Sequence, residues 1–360
     1  MRVGVLGGGQ LGWMTILEGR KLGFEFFVAD DMPHSPARKV ADSCFDYGQI
    51  DEFVRLCDVI TYEFEHIPEE VLEKTAPLTF PSVEILKLKK SKVEEKLFLK
   101  RRGYPVPTFT VAFREDLEQK VGLLNLPVVV KAEALGYDGK GQYLIKSLQD
   151  LQKVKANHGE KDRFLVEEFV DFDFELSIIG VRSPRGEVRL YPPTINHHRE
   201  GILFYNRTTS MVFPEGEEIV RSLMKELNLV GVLCVEFFYT KEGKLLINEM
   251  APRVHNTGHH TLDSTYTSQF ENLLRAIAGL PLGSTKLKSH AGMLNLLGVS
   301  YEEIDWKRVL SVEGTKLYWY GKEKKHRRKM GHINLVASTE EEVVEKLNQL
   351  YDMIYEPIKC

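Results

Sequence analysis

Residues 2–6 (RVGVL) run straight into Gly7-Gly8-Gly9, and Leu11, Met14, Leu17 and Leu22 follow at helical spacing. An apolar strand turning on glycines into a helix commits the start of the chain to a strand–helix crossover. Gly23 stands where a helix stop belongs, and Phe26-Phe27-Val28-Ala29 makes a second apolar strand closing on Asp30-Asp31. A helix around 51–57 and a strand at Val59-Ile60-Thr61 continue the alternation. Strands and helices alternating at this pitch predict a parallel sheet, and residues 1–88 are assigned to this Rossmann-like domain.

Residues 84–102 are rich in Lys and Arg, and Ser91-Lys92-Val93-Glu94 reads as a capping box opening a helix that Gly103 ends. Most lysines of this run read as a solvated helix face. Pro105 and Pro107 mark an extended linker. The apolar strand Leu126–Lys131, a glycine-rich turn, a return strand over 142–145, a helix over 148–157 and the strand 164–168 make a small α+β unit. Strands follow at 174–182, 187–191, 230–239 and 244–248, with helices near 215–228 and 266–278. The tail from 290 predicts short strands and a final helix at 340–350.

With 360 residues, and ~100–200 residues per domain, two or three domains are expected. The 43% hydrophobic and 28% charged content excludes disorder for most of the chain. A net charge of −4 argues against a general nucleic-acid binder, though not against a small anion held by a local basic cluster. Cys44, Cys57, Cys234 and Cys360 form no CxxC pair and no metal-ligand spacing, as for scattered thiols in a reducing cytoplasm. Residues 1–6 carry no signal-peptide pattern, and no apolar run approaches the ~18–20 residues of a membrane span. A cytoplasmic enzyme is expected, with no membrane partner.

Five motifs carry chemistry. Gly7-x-Gly9-x-x-Gly12 would let an anion approach a helix N-terminus, with Asp30 placed as a ribose-binding acid. It reads equally well as a tight turn with no nucleotide. Lys131 offers a fixed charge to a phosphate, and the loop from Gly136 through Gly139 to Gly141 offers N–H groups. The same pattern also fits a plain hairpin. Glu236 and Glu249 lie on strands joined by a turn at 240–244. Antiparallel pairing would bring the two acids together, and two buried like charges need a cation. Oxygen donors beside the Asn248 amide favour Mg²⁺ over zinc, unless one glutamate faces solvent. The cluster 252–260 (PRVHNTGHH) suits an anionic, polar ligand. Lys322–Lys329 holds six Lys and Arg in eight residues, a solvated run or a phosphate clamp in which one or two act.

In this order the motifs resemble the ATP-grasp superfamily, and within it the N5-carboxyaminoimidazole ribonucleotide synthetase family of purine biosynthesis. The similarity runs end to end through GGGQLG at 7–12, TYEFE at 61–65, GYDGKGQ at 136–142, NEMAPRVHNTGH at 248–259 and YGKEKKHRRKMGH at 320–332. The resemblance implies an α/β and α+β chain: a Rossmann-like pre-ATP-grasp domain (1–88), a linker helix with a small ATP-grasp lid domain (89–168), and a large ATP-grasp domain with a β-rich C-terminal tail (169–360). It implies ATP and Mg²⁺, with bicarbonate and 5-aminoimidazole ribonucleotide as substrates. Lys92 and Lys131 would bind phosphates, and the loop Gly136, Tyr137, Asp138, Gly139, Lys140, Gly141 and Gln142 would close over them. Glu167, Glu168, Phe169 and Val170 would line the adenine, Glu175 would take the ribose, and His198 would lie near the phosphates. Glu236 and Glu249 would hold the metal, with Asn248 beside them. Glu65, Tyr137, Asp138, Arg253, His255, Asn256, Lys322 and Arg328 would bind the ribonucleotide. Asp138 and Lys322 would act at the carboxylation step.

Many relatives carry Arg at the positions of Lys140 and Lys92; lysine keeps the charge there but not the bidentate geometry. The family's usual homodimer, and transfer of product to a downstream mutase, are further implications. Competing readings are another ATP-grasp ligase, such as a formate-using glycinamide ribonucleotide transformylase, an NAD-dependent oxidoreductase built on Gly7–Gly12, and a noncatalytic ribonucleotide-binding regulator.

Overall fold

The computed structural model describes residues 1–133 and 141–355. The first unit is a parallel sheet of β1 (Arg2–Leu6), β2 (Glu25–Ala29), β3 (Ser43–Phe45) and β4 (Val59–Tyr62), in the order β3-β2-β1-β4. The order reverses beside β1, so the loops after β1 and β4 open side by side at the carboxyl edge. β3 is three residues long and carries no clear alternation, which is why it escapes a reading of the sequence.

The second unit is an antiparallel sheet of β5 (Phe109–Phe113), β6 (Val128–Ala132), β7 (Gln142–Ile145) and β8 (Arg163–Glu168), ordered β5-β8-β6-β7. Val128, Val130, Phe164 and Val166 fill its core. The expected helix over 148–157 is a 3-10 turn at Leu148–Asp150 followed by an α-helix at Leu151–Ala156.

The third unit is one antiparallel sheet of nine strands: β9 (Phe172–Arg182), β10 (Val188–Leu190), β11 (Thr194–Arg199), β12 (Ile202–Thr208), β13 (Gly231–Thr240), β14 (Leu245–Ala251), β15 (His290–Leu297), β16 (Thr315–Trp319) and β17 (Lys329–Ala337). The tail strands are not a separate layer, because β15 pairs with β12 and carries β17 and β16 onward. Helix Pro214–Glu226 buries Ile219, Val220, Leu223 and Met224 among Leu176, Ile178, Leu233 and Val235. That spacing presents one apolar stripe to the sheet. Helix Glu340–Tyr355 likewise buries Val343, Leu347 and Leu350 among Leu294, Leu296 and Leu335.

Helix Lys92–Arg101 joins the first unit to the second. Ser91 caps it, accepting from the Glu94 amide at 3.0 Å, but the reciprocal half of the expected box is replaced: the Glu94 carboxylate pairs with Arg163 at 3.0 Å. A second correction concerns the basic run. Lys89 and Lys96 are buried rather than solvated, because each finds carboxylate partners on other elements. Cys57 and Cys234 are buried, Cys44 is half-buried, all three are free, and Cys360 lies outside the described residues. Among the described residues no helix is long and apolar enough to cross a membrane.

Candidate active site

Lys131 and Glu167 are diagonal neighbours across β6 and β8, on the face opposite the core of the small sheet. Lys131 Nζ donates to Glu167 Oε2 at 2.6 Å and reaches the large sheet at Asn248 Oδ1, 3.2 Å away. Lys96, from the linking helix, forms an ion pair with Glu167 Oε1 at 2.9 Å and donates to the carbonyls of Ile247 and Asn248 at 3.1 and 2.8 Å. Burial alone would raise the Glu167 pKa, but Lys131 and Lys96 outweigh it and hold the carboxyl down at about 2. This buried triad fixes the Lys131 ammonium against β14.

Glu236 and Glu249 face each other directly in the β13–β14 ladder, beside a bulge at Glu236/Phe237. Burial, and then the neighbouring Glu249 charge, push Glu236 up to about 7. Glu249 is held well below the usual carboxylate range by Lys89, against the effect of burial, with help from Lys131. Two acids that cannot comfortably both ionise suit a divalent cation between them. Among the described residues no group of three or more His, Cys, Asp or Glu could hold a metal alone. The donor set fits Mg²⁺, which takes one or two carboxylates and fills its remaining positions from phosphate and water.

Among the predicted nucleotide residues, Lys92 feels the charge of Glu249, and Glu175 and His198 act on Glu236. Lys92 opens the linking helix, where burial lowers its pKa against the pull of Glu249. Glu175 and His198, on β9 and β11, form a short ion pair that raises the His198 pKa although burial opposes it. Gln142 begins β7 opposite Lys131, and the Gly141 carbonyl just before it accepts from the Ala132 amide at 2.9 Å. A cleft beside Phe169 and Val170 is lined also by Val106, Thr108, Lys244 and Leu246. Glu168 also lines it, and its carboxylate accepts from the Asn125 side-chain amide at 3.2 Å. Gly136, Tyr137, Asp138, Gly139 and Lys140 lie outside the described residues.

Of the predicted ribonucleotide residues, Glu65, Arg253, His255 and Asn256 lie where β14 leaves its sheet toward the first unit, and Tyr137 and Asp138 lie outside the described residues. Arg253 clamps Glu65 through Nε at 2.8 Å and Nη2 at 2.7 Å. The His255 ring accepts from or donates to Thr257 Oγ1 at 2.9 Å, and its backbone N–H and C=O are both held by Gln269. Asn256 is buried with neither amide atom hydrogen-bonded among the described residues, an unusual cost unless a ligand meets it. Lys322 reaches the Gln10 side chain at the start of the first helix and sits over the Tyr320 ring. Arg328 Nη1 donates to Glu323 O at 3.1 Å. Of the same basic run, Lys324, Lys325 and Arg327 are exposed and pair with Glu303, Glu323 and Glu200, as a solvated face would.

Sequence reasoning missed Glu63. Its carboxylate accepts from the amides of Gly9 at 2.6 Å, Leu11 at 3.1 Å and Gly12 at 3.2 Å. Those are the donors a dinucleotide pyrophosphate would need, so an internal anion fills the cradle on which an NAD reading rests. A Cβ on Gly9 would stand 2.3 Å from Glu63 Oε1, which explains the glycine there. Gly7, at φ +91°, supplies the turn. Replacing Glu63 by alanine should lower stability by ~2–4 kcal/mol, the scale of several charge-assisted bonds and a lost helix cap. Urea unfolding of the variant checks this, and an unchanged midpoint would contradict it.

A family model described as the ribonucleotide synthetase preATP-grasp domain matches residues 1–88, the ATP-grasp domain matches 97–270, and the phosphoribosylaminoimidazole carboxylase C-terminal domain matches 291–346. The N5-carboxyaminoimidazole ribonucleotide synthase of Aquifex aeolicus is 58% identical over 98% of this chain and 97% of its own. That of Saccharolobus solfataricus is 44% identical over 98% and 96%. A crystal structure of the phosphoribosylaminoimidazole carboxylase ATPase subunit from A. aeolicus superposes with a TM-score of 0.88 at 54% identity, covering 98% of this chain and all of that one. The Aspergillus clavatus synthase in complex with ADP and 5-aminoimidazole ribonucleotide superposes at 0.89 with 26% identity, covering 98% of each chain. The chain therefore belongs to the N5-carboxyaminoimidazole ribonucleotide synthase family, within the ATP-grasp fold.

Proposed function

We propose that this chain is a ligase that carboxylates 5-aminoimidazole ribonucleotide with bicarbonate at the expense of ATP, giving N5-carboxyaminoimidazole ribonucleotide, ADP and phosphate in purine biosynthesis. The observation that carries the reading is the Lys131–Asn248 contact, which joins the phosphate-binding cation of one sheet to the carboxylate pair of another. Lys131 and Lys92 hold the phosphates, and the loop 136–142 supplies further donors to them. Backbone groups of 167–170 meet the adenine, and Glu175 and His198 take the ribose and phosphate side. Glu236 and Glu249, with Asn248, hold Mg²⁺, which when bound neutralises charge on the transferring phosphoryl group.

Bicarbonate is a poor electrophile, and phosphorylation to carboxyphosphate activates its carbon. That species hydrolyses readily, so the surrounding residues must keep water out. Arg253, Glu65, His255, Asn256, Arg328 and Tyr137 position the ribonucleotide so that its amine meets the activated carbon. Asp138 and Lys322 act on the amine proton and the developing charge. Units 1–88, 89–168 and 169–360 divide this work, in a cytoplasmic homodimer whose product passes to a mutase.

ADP release should require both bicarbonate and the aminoimidazole ribonucleotide, and formate should not replace bicarbonate. Turnover unchanged on omitting bicarbonate would reject carboxylation, and a formate requirement would mark a transformylase instead.

A further inference from the structure

Lys89 occupies a position that the reaction, as derived above, does not use. It lies in the last turn of helix Val83–Lys90, and its side chain is only 10% exposed. Its Nζ donates to Glu95 Oε2 and to Glu249 Oε2, both at 3.0 Å. Glu95 is itself pinned, since its other oxygen accepts from the Met250 amide at 2.7 Å, one residue beyond Glu249. The neighbouring lysines turn elsewhere: Lys87 pairs with Glu69 at 2.6 Å, and Lys90 donates to Ile67 O at 2.6 Å. Lys89 is therefore held by a fixed anchor against one oxygen of Glu249.

We propose that Lys89 is a tethered counter-cation for the metal-binding carboxylates, holding the Glu95–Glu249 pair together before Mg²⁺ arrives and opposing the metal once it binds. The inference rests on the assignment of Glu236 and Glu249 to Mg²⁺. Two cations sharing one carboxylate repel each other at short range. Removing Lys89 should then weaken the metal-free protein and strengthen metal binding, two effects of the same sign on the metal response.

The test is a MgCl₂ titration of the full chain at fixed ADP, followed by thermal melting, with an EDTA-treated reference. Lys89→Met should melt lower than wild type in EDTA, and its half-maximal Mg²⁺ concentration should fall about tenfold. Lys89→Arg, which keeps the charge, and Lys87→Met, on the same helix, should both titrate like wild type. If Lys89→Met does not fold in EDTA, Lys89→Gln keeps a donor without the charge and should show the same tightening. An unchanged or higher Mg²⁺ requirement in these neutral variants overturns the proposal. A wild type with no Mg²⁺ response would sink the metal assignment itself, and this inference with it.

Discussion

Glu249→Ala should reduce ADP formation, dependent on bicarbonate and the ribonucleotide, by at least about a thousandfold, the scale on which charge-stabilising groups act at a transferring phosphoryl centre. The substitution removes one of the two facing carboxylates and leaves Glu236 as a single buried acid. It also takes one partner from Lys89. The fold should survive, because the glutamate side chain is 44% exposed and Asn248 and Met250 keep their own contacts with Lys96, Lys131 and Glu95. A coupled ADP assay read beside circular dichroism checks both halves. Turnover near wild type from a folded variant would remove the metal assignment.

Glu167→Gln should cost stability rather than chemistry alone, by about 3–5 kcal/mol, as expected when one member of a buried ionic cluster is lost. Lys96 and Lys131 would be left as two buried cations 3% and 11% exposed, facing an amide. The same cluster sets an acid limit for the wild type. The folded pKa of Glu167, about 2, lies below its ordinary value of 4.5. A depressed carboxyl contributes stability that is complete above the unfolded pKa and is lost as pH falls through the folded one. Stability should therefore decline from about pH 4.5 toward pH 2, and the variant should lack this part of the decline. Urea midpoints measured across that range for both proteins check the difference; parallel curves would contradict it.

The parts of the site that could be read from sequence are those built by neighbours in the chain. Strand β1 and its glycine turn follow from five residues and a helical spacing, and the Glu236–Glu249 pairing follows from one hairpin. In each case local geometry fixes the partner. What escaped detection depends on residues far apart: Glu63 meets Gly9 across 54 positions, Lys96 meets Ile247 across 151, and Lys89 meets Glu249 across 160. Composition actively misleads there, since a lysine-rich helix looks solvated until its buried carboxylate partners are placed. Glu63 had one usable signal. In a parallel sheet where β4 lies beside β1, the residue after β4 stands next to the glycine turn after β1. The single tail sheet was equally hidden, because the β12–β15 pairing spans the helix Pro214–Glu226, the β13–β14 hairpin and the helices Thr261–Ser264 and Gln269–Ile277.

Tracing oxygen from ¹⁸O-labelled bicarbonate is the most direct measurement of how this protein works. Attack of a bicarbonate oxygen on the γ-phosphorus predicts one labelled oxygen in each phosphate released during ribonucleotide-dependent turnover. Phosphate free of label, with carboxylated product still forming, would contradict passage through a phosphorylated bicarbonate.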